Sequence, residues 1–254
     1  MTISAEALAL PVATAIAAGL VGSFAVLRRL SLASDALSHV ALPGIGLALL
    51  LHLNPILGGV AALLAGVLTI WLLEHRTRVP AEAVIGVVFS AALAVGSMLT
   101  PGEELIEVLF GSQRAPGQLE TGLGILTAAA IAWFVLRARH RLLLLLVSPD
   151  LARTAGVGVS RLDLGYLVAF ALTVALGLRY LGILLMGSLI IIPAATARHL
   201  TRSLQAMLLT SVALALLTTL AGLAGSALFG LPAGPLTITI AAAIFVVSAA
   251  FRRG

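Results

Sequence analysis

Long apolar blocks run through this chain, broken by short clusters of arginine, proline and glycine. A block of about 20 apolar residues reads as a helix that crosses a bilayer. Nine such blocks can be marked, at 7–27, 32–53, 56–73, 83–100, 122–136, 163–178, 181–197, 205–226 and 236–251. The sixth and seventh are parted only by Arg179 and Tyr180, a join that is either a tight turn or a broken helix. The pattern therefore predicts an all-α integral membrane protein, a polytopic bundle of eight or nine transmembrane helices in the single domain 1–254.

Composition supports this reading. Of the 254 residues 61% are apolar and only 10% charged, with a mean hydropathy of +1.16. A soluble shell needs polar residues that this chain lacks. A soluble enzyme, a disulfide scaffold and a disordered chain are thereby excluded, and lipid is the expected surrounding. The start, MTISAEALAL, has no basic region and no small-residue cleavage pattern, so it reads as the lead-in to the first span.

The charge pattern sets topology. All fifteen basic residues are arginine, and thirteen fall on every second junction between spans. By the positive-inside rule those junctions face the cytoplasm. Nine spans then put the C-terminus inside and the N-terminus outside; eight would move the N-terminus inside. A pI near 11.2 would imply nucleic acid in a soluble protein. Here it reflects topology, and no nucleic-acid partner is expected. The opposite junction, 101–121, carries Glu103, Glu104, Glu107 and Glu120 and reads either as a solvated outer loop or as a cation-attracting one.

Two absences limit the chemistry. Without cysteine there are no disulfides, thiolate ligands or iron–sulfur clusters. Without lysine there is no phosphate-binding loop of the G-x-x-x-x-G-K-[ST] type. Uphill transport would have to draw on a partner or an ion gradient.

The second block, SLASDALSHVALPGIGLALLLHL, carries Asp35 and His39. A spacing of four puts both on one helix face. His39 lies about 15 Å above Arg29, near mid-bilayer. Ionisable groups at that depth mark pathways or binding sites. A carboxylate with an imidazole suits zinc, manganese or iron. Three readings stay open from this segment alone: a metal pathway, a proton relay in a proton-coupled secondary transporter, and an Asp–His bond that glues helices. Two ligands do not close a tetrahedral site, so the metal reading predicts a two-fold homodimer with this span at its axis. Pro43 and Gly44, just beyond the pair, loosen the helix, and Pro193 does the same in the seventh block. The remaining histidines, His52, His75, His140 and His199, read as interfacial, with His52 on the entry side.

The arginine-rich junction 137–162 contains SPDLARTAGVGVSRLD. Ser148 as cap, Pro149 at the first position, Asp150 at the dipole and Gly156 as stop predict a short helix at about 149–155. Ser160 with Asp163 predicts a second, capping-box start. Such a short helix either docks a partner or lies along the lipid interface.

The stretch RRLSLASDALSHVALPGIGLALLL resembles the second-span signature of the membrane subunits of metal-ion ATP-binding-cassette importers. LFGS at 109–112, SPDLARTAGV at 148–157 and LGILLMGSLIIIPAATAR at 181–198 resemble the same family, in its order. The resemblance covers about 10–250 and implies a homodimeric permease of a bacterial-type cytoplasmic (inner) membrane. It implies a transport subunit that is not itself an enzyme and holds no permanent cofactor. It also implies a separate cytoplasmic ATP-binding subunit, an extracytoplasmic metal-binding protein, and zinc, manganese or iron as cargo. The family's metal-pathway residues match Asp35 and His39. Its ATPase-contacting loop matches about 142–162, with Asp150, Leu151, Ala152, Thr154, Ala155 and Gly156 at the contact.

Overall fold

The computed structural model describes residues 5–77, 79–100, 109 and 117–251. Glu103, Glu104 and Glu107, most of LFGS, and Arg78, Arg114, Arg252 and Arg253 lie outside the described residues. Ten helices follow in chain order: α1 Ala5–Leu27, α2 Ser31–His39, α3 Leu42–Leu50, α4 Pro55–Arg76, α5 Ala81–Leu99, α6 Gln118–Val147, α7 Pro149–Thr154, α8 Val159–Leu200, α9 Leu204–Phe229 and α10 Ala233–Phe251. Among the described residues there is no strand. Eight segments are long and apolar enough to cross a bilayer, counting α8 as Val159–Leu178 and Leu181–Leu200.

The join at Arg179–Tyr180 is a reversal. Gly182 has φ 73 and ψ 174, a left-handed φ that glycine adopts without a Cβ clash. A Cβ on Gly177 would fall on Met186 Sδ, nine residues on, which a straight helix would hold about 13.5 Å away. Both ends of α8 also meet the end of α1: Asp163 pairs with Arg28, and Arg198 donates to the Val26 carbonyl at 3.3 Å. The two arms therefore form an antiparallel hairpin.

The second traverse is two helices, not the continuous span 32–53. α2 ends at His39 and α3 starts at Leu42, with Val40 N–H and Ala41 N–H turning back to the Leu37 and Ser38 carbonyls. Pro43, at the start of α3, has no N–H for the His39 carbonyl, so the α-helical ladder cannot continue through it. The fifth span is longer than 122–136: α6 runs on through Arg137, Arg139, Arg141 and the leucines to Val147. No proline interrupts it, and glycine falls only in its first two turns, at Gly122 and Gly124. Most of the 142–162 junction's first part is thus helix.

Lipid tails are as apolar as leucine, so packing rests on close approach at small residues rather than on a hydrophobic drive. α1, the most buried of the eight long segments, touches α8, α9 and α6. Gly22 admits the Ile190 backbone and Gly19 the Val212 backbone, so neighbours on two sides come within reach of α1. Ser211 Oγ donates to the Gly19 carbonyl at 2.8 Å across that seam. The small-residue stretch 222–235 serves as both packing surface and turn. Gly222 receives Thr237, and Gly230, at φ 67, ends α9.

Candidate functional site

α2 is held by what lies beneath it. The second arm of α8 presents Gly187, where a Cβ would meet the Asp35 Cα at 2.8 Å and the Asp35 N at 3.0 Å. Ser34, fully buried, turns its hydroxyl to the Gly187 carbonyl at 3.5 Å, and Ser38 Oγ donates to the Ser34 carbonyl at 2.9 Å. The serines thus take the packed face, and the Asp35 side chain is left exposed beside it. His39 is partly buried one turn further, its ring edge-on to Phe89 of α5 with centroids 5.5 Å apart. Its Nδ1 is buried without a hydrogen-bond partner. Asp35 and His39 share a face, about 6 Å apart along the axis. Among the described residues no group of three or more His, Asp or Glu gathers that could hold a metal within one chain.

Gly44 has a different neighbour. It crosses Gly58 of α4, and each glycine leaves room for the other's carbonyl. The break in the traverse lies before it, at Val40–Ala41. α8 stays helical through Pro193, and the non-helical residue in α8 is Gly182. His52 sits in the α3–α4 loop, exposed, with a left-handed φ of 54.

On the arginine-rich side α7 forms as its sequence predicts. Ser148 Oγ accepts from Leu151 N–H at 3.2 Å, and Pro149 opens the helix. Gly156, at φ 74, closes it, with Gly156 N–H to the Arg153 carbonyl and Val157 N–H to the Ala152 carbonyl. Asp150, Leu151, Thr154, Ala155 and Gly156 are exposed, whereas Ala152 is fully buried against the bundle. The capping box at Ser160 and Asp163 does not form. Gly158 precedes α8 without a side-chain cap, and both residues have distant partners. Ser160 Oγ lies 3.0 Å from His75 Nε2, Trp71 Nε1–H donates to the Ser160 carbonyl, and Asp163 pairs with Arg28. His75 is therefore engaged at both ring nitrogens, its Nδ1 donating to the Trp71 carbonyl at 2.8 Å.

Gly187, Phe89 and the Arg28–Asp163 pair were not singled out from the sequence. Gly187 stood in view within LLMGSLIII, but nothing in one sequence says which helix a small residue faces.

A many-helix membrane bundle with a carboxylate and an imidazole one turn apart, and a capped surface helix on the arginine-rich side, has the make-up of a membrane transport subunit. The chain matches the ABC 3 transport family over residues 2–252, and it belongs to that family. It is 30% identical to the high-affinity zinc uptake system membrane protein ZnuB of Haemophilus influenzae, over 89% of each chain. It is 31% identical to the manganese import system permease protein ScaB of Streptococcus gordonii, over 96% of this chain and 89% of the relative. Among solved structures it superposes on PsaBC from Streptococcus pneumoniae in complex with Fab with a TM-score of 0.83 and 28% identity, over 96% of this chain and 89% of that one.

Proposed function

We propose that this chain is the membrane permease of an ATP-driven importer of divalent transition-metal ions, zinc or manganese before iron. The carrying observation is that Asp35 and His39 lie one turn apart on α2, Asp35 exposed and His39 partly buried beside Phe89 with an unpartnered Nδ1. A carboxylate left in lipid at this depth is costly, whereas one facing a second copy across a two-fold axis is not. Two such pairs supply two carboxylates and two imidazoles, enough for a tetrahedral ion. The zinc and manganese permeases among its relatives support the choice of cargo.

In this reading an extracytoplasmic binding protein delivers the ion to the outer face. The ion exchanges water for Asp35 and His39. A separate cytoplasmic ATP-binding subunit engages α7 through Asp150, Leu151, Thr154, Ala155 and Gly156, and its closure rocks the spans. Pro43 at the α2–α3 break, the Gly44 crossing and Pro193 are the places where helices can bend or slide. The chain itself does no ATP chemistry and keeps no metal.

The test is metal uptake by proteoliposomes holding this chain with and without its ATP-binding subunit. ATP-dependent uptake lost in Asp35→Ala and in His39→Ala is the expected result. Uptake that ignores ATP and follows a proton gradient, or that survives loss of both residues, overturns it.

A further inference from the structure

A cavity of about 460 Å³ lies on the arginine-rich side, between the ATPase-contact helix and the rest of the bundle. Pro149 and Arg153 of α7, Glu74 and His75 of α4, Arg28 after α1, and Asp163 of α8 are among its walls. Arg28 and Asp163 meet at 2.6 Å, with 13% and 17% of their side chains exposed. The Arg28 guanidinium also lies 4.6 Å above the Tyr166 ring. Tyr166 is fully buried and donates its hydroxyl to the Val21 carbonyl at 3.0 Å, which fixes the platform on which Arg28 rests.

The chain leads from each partner to a functional element over a short, hydrogen-bonded path. After Arg28, Arg29 takes a left-handed φ of 60, with Arg29 N–H to the Val26 carbonyl and Leu30 N–H to the Ala25 carbonyl. This is a Schellman closure built without glycine, and α2 with Asp35 begins directly behind it. On the other side, α7 is tied off by the Gly156 turn and enters α8 at Val159, one turn before Asp163. The second ion pair among the described residues, Arg153 with Asp150, lies within α7 and is exposed.

We infer that Arg28 and Asp163 are positioning residues which carry movement of α7 to α2, and that the cavity is the space into which α7 moves. The inference rests on the proposed function. Holding helices together does not require charge here, because a buried ion pair replaced by apolar residues is often neutral for stability. What an apolar pair loses is a directional link that releases or holds as one unit.

The test uses the complete transporter in proteoliposomes and reads metal ions moved per ATP hydrolysed. In Arg28→Leu/Asp163→Leu the complex assembles and hydrolyses ATP within about twofold of the parent, while ions per ATP fall about tenfold, as a lost coupling between sites predicts. The swap Arg28→Asp/Asp163→Arg recovers part of the ratio. An unchanged ratio, or uptake and hydrolysis falling in proportion, overturns the inference. Should the double variant fail to assemble, Asp163→Asn removes one charge of the pair at nearly unchanged shape; a ratio equal to the parent's overturns the inference. The cysteine-free chain also accepts spin labels at Glu74→Cys and Arg153→Cys without background. Their separation shortens when ATP is trapped, and a constant separation overturns the inference. Absence of ATP-dependent uptake in the parent protein is a different failure, that of the proposed function.

Discussion

Gly187 and Asp35 meet backbone to backbone: a Cβ on Gly187 would lie 2.8 Å from the Asp35 Cα. The helix that bears the candidate ligands is thus seated on a residue with no side chain. Gly187→Ala forces α2 away from α8 and displaces Asp35. We expect metal uptake to fall about tenfold, with a larger loss for Gly187→Val, since a misplacement of about 1 Å is felt strongly at a site of fixed geometry. Uptake assays on variants matched for membrane content check this; near-parent uptake in both would contradict it.

Protons compete with metal for the His39 imidazole, which ligates only when neutral. Uptake is therefore highest where the imidazole is neutral and falls as acid protonates it. A pH series with clamped membrane potential and constant free metal measures this. A rate that stays flat over the range speaks against imidazole ligation.

Gly44 and Gly58 allow α3 and α4 to cross with each glycine against the other's carbonyl. Placing a methyl at either site overpacks that crossing. Gly44→Ala and Gly58→Ala are each expected to destabilise by about 1–3 kcal/mol. Thermal unfolding in detergent checks the prediction, and an unchanged midpoint would mean that the crossing is loose.

The Tyr166 hydroxyl is the donor to the Val21 carbonyl inside the α1–α8 seam. Tyr166→Phe keeps the ring under Arg28 and removes that donor. The expected loss is about 0.5–1.5 kcal/mol, the net worth of one hydrogen bond, because the Val21 carbonyl keeps its helical partner within α1. The same melting assay reads it.

Ser148 accepts from Leu151 N–H and holds the start of α7. Ser148→Ala removes the cap, worth about 0.5–2 kcal/mol, from a helix of only six residues. Faster amide hydrogen exchange over 149–154 is expected, together with weaker assembly with the ATP-binding subunit. Unaltered exchange would show that packing at Ala152, not the cap, holds α7.

Much of the candidate site was legible in one dimension. Asp35 and His39 stand out because charge within an apolar block is rare and a four-residue spacing fixes a shared face. α7 stands out because its cap, proline, acid and glycine are local signals, and local hydrogen bonds satisfy them. Ser160 and Asp163 show the opposite. Their spacing is that of a capping box, yet both side chains are taken by partners far along the chain, His75 and Arg28. The end of the fifth span was misplaced for a related reason. Arginines mark the edge of the lipid, but a helix does not have to stop there, and α6 continues into the next leucines.

Hydropathy and charge, acting residue by residue, determined that the chain is helical, that it crosses a membrane many times, and which junctions share a side. They also placed a carboxylate and an imidazole on one face of one helix. Only the tertiary structure decided that the Arg179–Tyr180 join is a hairpin turning at Gly182, because Arg28 and Val26 bind both of its ends. It alone decided that the second traverse breaks at Val40–Ala41, and that Gly187 of a helix some 150 residues away carries Asp35. The reason is physical. Membrane insertion depends on local composition, whereas the pairing of small residues and of opposite charges depends on which helices come to lie side by side.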